Sequence, residues 1–90
     1  DKKAIQQLED LVNLYRGNIM ALIRQELPSL TEMEFRLLCY FCAGFSAKAI
    51  SIFTGDTTNN IYVKKSRIKD EILKLDASVA GRILDAINSK

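Results

Sequence analysis

The sequence predicts an all-α fold: one long N-terminal helix over residues 1–28, followed by a compact four-helix domain over residues 29–90. Three observations carry this. Apolar residues recur at spacings of three and four along most of the chain, and no strand-like alternation occurs. Breakers are scarce, with four Gly and one Pro in 90 residues. The chain is 48% hydrophobic and 27% charged, the balance of a folded globular domain rather than a disordered segment.

Residues 3–27 read as a single helix. Ile5, Leu8, Val12, Tyr15, Ile19 and Leu22 fall at a 3-4-3-4-3 spacing, an a/d seam of about two and a half heptads. Leu11, Met20 and Ile23 widen the stripe, so it suits packing on its own domain as well as on a partner helix. Gly17 is the one objection to an unbroken helix, at about 1 kcal/mol relative to Ala. Four basic and four acidic groups cancel over residues 1–29, which argues against a membrane-surface helix.

Pro28 disfavours helical geometry at Leu27 and ends this element. Thr31 with Glu34 three residues later is a capping box, which starts the next helix at Glu32. Phe35, Leu38, Phe41 and Cys42 form its core stripe, and Gly44 closes it in the left-handed conformation. Ser46 caps a short helix over residues 47–54, with Ile50 and Phe53 pointing inward. Gly55-Asp56-Thr57 is a turn, and Thr57 caps a fourth helix to about residue 75 with Ile61, Ile68, Ile72 and Leu75 inward. Asp76-Ala77-Ser78 offers a cap for a last helix over residues 79–88, with Val79, Ile83 and Ile87 apolar.

Composition excludes several kinds of chemistry. The chain has no His, the usual general base and commonest metal ligand, and only two Cys, so no four-ligand Cys/His zinc site forms within one chain. Cys39 and Cys42 have redox-motif spacing, but mid-helix in an all-helical chain they read as ordinary reduced core residues. With no Gly-rich phosphate loop and no paired buried carboxylates, no catalytic residue, cofactor or metal is expected, and no small-molecule ligand. No apolar run approaches the roughly 20 residues that span a bilayer. The absence of an initiator Met leads us to expect a fragment of a longer chain.

A short helix, a tight turn and a longer helix at 47–54, 55–57 and 58–75 have the layout of a helix-turn-helix, whose second helix enters the DNA major groove. Its first turns carry Thr58, Asn59, Tyr62, Val63 and Ser66, side chains able to approach base edges. Lys64, Lys65, Arg67 and Lys69 give residues 62–69 four basic groups and no acid, where phosphates would be neutralised. Net charge is only +2, so it is the placement of charge that informs.

Residues 30–75 resemble the LuxR-type (GerE-like) helix-turn-helix found at the C-terminus of many bacterial transcription regulators. The resemblance rests on Leu30, Thr31, Glu34, Leu37 and Leu38, then Gly44, Phe45, Ser46, Lys48 and Ile50, then Thr57, Asn60, Ile61, Ser66 and Ile68 without a gap. It implies a four-helix DNA-binding domain acting as a homodimer, with residues 77–89 as its closing helix. It also implies Tyr62, Val63 and Ser66 near base edges, and Lys48, Lys64, Lys65, Arg67 and Lys69 at phosphates. Ser46 and Thr57 would be caps presenting amides to the DNA backbone. The chain departs from the pattern at several places. Ala49 replaces a Glu, Tyr62 a common Lys and Lys64 a frequent His, while Asp70 and Glu71 replace basic residues, which weakens phosphate affinity. Asp56 replaces the aliphatic plug of the turn and is expected to loosen it.

The helix before Leu27-Pro28-Ser29-Leu30-Thr31 is also similar to a Bacteroidetes-type subset in which the domain follows a sensor region with a coiled coil and a membrane anchor. The resemblance thus implies an output domain with an upstream sensor in the same chain; DNA binding and reduced Cys fit the cytoplasm, and the heptad spacing makes Ile5, Leu8, Val12, Tyr15, Ile19 and Leu22 a candidate dimer seam or, equally, a stripe packed on its own domain. The alternative reading is a protein-interaction module of the same fold that docks a sensor domain or RNA polymerase, favoured by Asp56, Asp70 and Glu71.

Overall fold

The computed structural model describes Asp1 to Asn88, and the described residues form six helices and no strand. These are α1 (Lys2–Tyr15), α2 (Ile19–Glu26), α3 (Glu32–Cys42), α4 (Ala47–Thr54), α5 (Thr58–Ile72) and α6 (Ala77–Asn88). The protein is therefore all-α, as its periodicity predicts. Ser89, the end of the closing helix implied by the resemblance, lies outside the described residues.

The long N-terminal helix is not one helix. It breaks after Tyr15, and Gly17 and Asn18 both adopt left-handed backbone, at φ +58° and +60°. Gly17 carries no Cβ and takes this conformation without strain. The Asn18 amide reaches back to the Asn13 carbonyl at 2.9 Å, the six-to-one bond of a Schellman ending. Asn13 does a second job: its side-chain oxygen accepts from the amides of Met20 (2.8 Å) and Ala21 (3.1 Å), capping α2 from the end of α1. Arg82 on α6 donates to the Gly17 carbonyl and ties the bend to the opposite end of the chain. The cost of a mid-helix Gly, read from the sequence as a modest objection, is here avoided by ending the helix.

The bend folds α2 back onto α3 and α6, so the N-terminal segment shares the core of the rest. Helix α3 is the hub and packs on each of the other five. Ile19, Met20 and Ile23 of α2 join Leu38, Cys39 and Cys42 of α3, Ile50 of α4, Ile61, Ile68 and Ile72 of α5, and Ile83 and Ile87 of α6, all buried. A half-buried charge pair locks the first three helices. Arg24 of α2 grips Glu9 of α1 with two parallel bonds, Nε to Oε2 at 2.7 Å and Nη2 to Oε1 at 2.9 Å. The same guanidinium holds Glu32 at the start of α3 at 2.9 Å and lies 4.4 Å from the centre of the Phe35 ring. The two carboxylates hold the Arg24 pKa above its ordinary value.

The caps expected from spacing form. Thr31 Oγ1 accepts from the Glu34 amide at 3.2 Å while Glu34 Oε1 accepts from the Thr31 amide at 2.8 Å. Ser46 accepts from the Ala49 amide at 3.1 Å and Thr57 from the Asn60 amide at 3.0 Å. Two boundaries shift: α5 stops at Ile72, with Leu75 half-buried in the following turn, and α6 begins at Ala77. Phe53 is not inward. It stays exposed and meets the rings of Phe45 and Tyr40 at centroid distances of 5.0 and 5.6 Å.

Candidate nucleic-acid interface

Helix α5 has two faces set by its period. Ile61, Ile68 and Ile72 are buried on the face that packs on α3, α4 and α6. Thr58, Asn59, Tyr62, Val63 and Ser66 are all exposed on the other side, Tyr62 at 58% and Val63 at 41%. Positions 58, 62 and 66 follow the four-residue spacing that makes one strip on a helix, with 59 and 63 beside it. The strip is flat and carries no charge of its own.

The cations around it fall into two groups. Lys48, Arg67 and Lys69 are exposed and, among the described residues, make no ion pair. Lys64 and Lys65 are engaged. Lys64 Nζ lies 2.7 Å from Asp56 Oδ2. Lys65 Nζ sits 4.4 Å from the centre of the Phe41 ring, half-buried, and burial together with the nearby charge of Lys69 pulls its pKa down. The structure therefore separates the five Lys and Arg residues that the sequence grouped together.

Asp56 is the residue whose role changes most. Instead of loosening the turn, it ties it. Its Oδ1 accepts from the Thr57 amide at 2.9 Å and from Asn60 Nδ2 at 3.0 Å, while Oδ2 holds Lys64. Lys64 and the two hydrogen bonds pull its carboxyl pKa down to about 2. Thr54 braces the other side: its hydroxyl donates to the Ile50 carbonyl at 2.8 Å and accepts from the Asp56 amide at 3.2 Å. Gly55 supplies the left-handed residue between them at φ +74°. The positions 56, 60 and 64 stand four apart, a spacing on one helical face that could have revealed this acid–amide–amine ladder in the sequence. The acids farther along do not meet the strip in a pair: Glu71 is bonded to Lys74 at 2.9 Å.

The candidate dimer seam does not stay on one straight helix. Val12 and Ile19 are buried in the protein's own core, Ile5, Leu8 and Leu22 are half-buried, and Tyr15 is 80% exposed. The bend at Gly17 interrupts the heptad line, so residues 5–15 and 19–22 lie on two helices that meet the same core from different directions. Cys39 and Cys42 are both buried and unpaired, and burial pushes their thiols up to about 11 and about 12, far from the thiolate form. Among the described residues no group of His, Cys, Asp and Glu could hold a metal ion, and no helix is long and apolar enough to cross a membrane.

No family model matches the chain, and neither a curated protein nor a solved structure does.

Proposed function

We propose that this chain binds double-stranded DNA through α5, as the cytoplasmic output domain of a bacterial transcription regulator of LuxR-like type. The reading is carried by one observation: an acid-free, exposed strip of Thr58, Asn59, Tyr62, Val63 and Ser66 on α5, with Arg67 and Lys69 exposed on the same helix and Lys48 exposed on α4, none of the three in an ion pair among the described residues. Such a strip can lie against base edges while the cations meet phosphates. The Asp56 carboxylate, next to the strip, is neutralised by Lys64 and does not repel the DNA backbone. In this reading two copies bind together and an upstream sensor sets their activity.

Salt dependence tests it. Titration with random duplex DNA should show log affinity falling against log salt with a slope of about −2.7 if Lys48, Arg67 and Lys69 alone reach phosphates, and about −4.5 if Lys64 and Lys65 swing out to join them. Removing one of the three free cations should flatten the slope by about one unit for every sequence. Tyr62→Ala or Ser66→Ala should instead change the preference between sequences. Absence of binding at low salt would overturn the reading.

A second reading has its own observation. Ile52 is 74% exposed on α4, and Phe53 of the same helix and Phe45, whose rings meet, are exposed as well. An apolar surface of this kind suits a protein partner such as a sensor domain or RNA polymerase. A chain that fails to bind DNA but loses partner binding on Ile52→Asp would support it.

A further inference from the structure

Two asparagines stand side by side at the start of α5 and are used differently. Asn60 is committed: its side-chain amide donates to Asp56 Oδ1 at 3.0 Å. The Asn59 side chain is exposed and, among the described residues, has no hydrogen-bond partner. One helical turn farther along the same face, Val63 is 41% exposed although it is apolar. Positions four apart are about 6 Å apart along the axis, close to two base-pair steps of about 3.4 Å. The strip of Thr58, Asn59, Tyr62, Val63 and Ser66 lacks both charged readers of a G·C pair. It has no Arg or Lys to fork onto guanine O6 and N7, and no Asp or Glu to accept from cytosine N4. Thr58 and Ser66 can bond to either kind of pair. Lys64 is held by Asp56. Arg67 continues the line of positions 59 and 63 but stands about 12 Å beyond Asn59 along the axis, out of reach of the base that Asn59 would meet.

We propose that α5 selects A·T pairs in the major groove, with the Asn59 side-chain amide on adenine N6 and N7 and the Val63 methyls against the 5-methyl of a thymine about two base pairs away. The proposal rests on the reading that α5 binds DNA and adds which bases the strip selects. An amide donates at one end and accepts at the other, which matches the N6 donor and N7 acceptor that adenine alone presents side by side in the major groove. An apolar side chain gains from covering a thymine methyl and gains nothing from cytosine, which lacks it.

The test compares four alternating duplexes of equal length at one low salt concentration: dA-dT, dA-dU, dG-dC and dI-dC. The dI-dC duplex has the minor groove of A·T pairs and the major groove of G·C pairs, so it separates the two grooves. The dA-dU duplex differs from dA-dT only in the missing methyl. The chain should bind dA-dU about tenfold more tightly than dG-dC or dI-dC, the worth of one bidentate amide–adenine pair. It should bind dA-dT about fourfold more tightly again, the worth of one covered methyl. Asn59→Ala, at an exposed position that leaves the Thr57 cap in place, should remove the tenfold step and keep the fourfold one, with dG-dC affinity unchanged. Val63→Ser should do the reverse. Equal binding of all four duplexes, dI-dC bound as tightly as dA-dT, or a tenfold step that survives Asn59→Ala would overturn the selection and leave DNA binding standing. Binding to none of the four would overturn DNA binding itself, and the selection with it.

Discussion

The two ends of this small protein are held together by different physics. The α1–α2 corner is fixed by contacts between residues far apart in the chain: Glu9 with Arg24, Asn13 with the amides of Met20 and Ala21, Arg82 with Gly17. The α4–α5 turn is fixed by neighbours, since Thr54, Asp56, Thr57, Asn60 and Lys64 bond to one another within a few residues and mostly in solvent. The first arrangement buries a charge and makes the corner part of the core. The second spends little buried surface and leaves the whole outer face of α5 open. A binding face needs rigid backbone under exposed side chains, and local hydrogen bonds provide that without covering the face.

The contrast is broken most severely at Arg24. Replacing it by Ala leaves Glu9 buried without a partner. That should cost ~3 kcal/mol, the low end for such pairs because the Arg24 side chain is itself 37% exposed. Urea denaturation of Arg24→Ala should show the loss across the whole molecule, with Arg24→Lys recovering only part of it because a Lys cannot make two parallel bonds. A loss under about 1 kcal/mol would mean that Glu9 is solvated and the corner is held by packing alone.

Asn13→Ala comes next. It removes the acceptor for two α2 amides and should cost about 1.5 kcal/mol. Hydrogen exchange at Met20 and Ala21 should quicken first, since those amides lose their partner. Thr57→Ala is smaller and local, about 1 kcal/mol, the usual worth of a helix N-cap. Its signature is faster exchange at the Asn60 amide with the α1–α2 corner untouched. Equal loss of protection at both ends in either variant would show that the two regions unfold as one unit and remove the distinction between them.

The same division explains what the sequence discloses. The caps at Thr31, Ser46 and Thr57 and the ending at Gly44 are devices within three or four residues, so spacing alone reveals them. The buried stripes of α3, α5 and α6 follow from the helical period for the same reason. The bend at Gly17 was concealed because the heptad rhythm runs through it. Val12 and Ile19 both bury, but on two helices that meet the same core from different directions, and a one-dimensional pattern does not distinguish these cases. Glu9 and Arg24 are fifteen residues apart and find each other only after the bend forms. On the candidate interface the exposed strip of α5 was legible from period and polarity. The engagement of Lys65 was not, because it depends on Phe41 of another helix. A family preference for an apolar plug at Asp56 points to a loosened turn, but it is a preference and not a physical requirement. Hydrogen bonds to Thr57, Asn60 and Lys64 fill the same role.

Acid sharpens the comparison at its finest point. Asp56 has its carboxyl pKa pulled down to about 2, below the roughly 3.9 of a free Asp. A depressed folded-state value means that the ionised carboxylate stabilises the turn above about pH 4, and that this contribution is lost as pH falls from there toward 2. At pH 3 most exposed carboxylates are largely protonated, while Asp56 should still hold Lys64 and Asn60. Following the Asn60 side-chain amide by NMR should give a midpoint near 2, with the Thr57 and Asn60 backbone amides still protected at pH 3. A midpoint near 4 would mean that the Lys64 ammonium spends its time in water, free to reach a phosphate. The DNA salt slope would then lie one unit beyond the three-cation value, so the same residue can be read by two independent titrations.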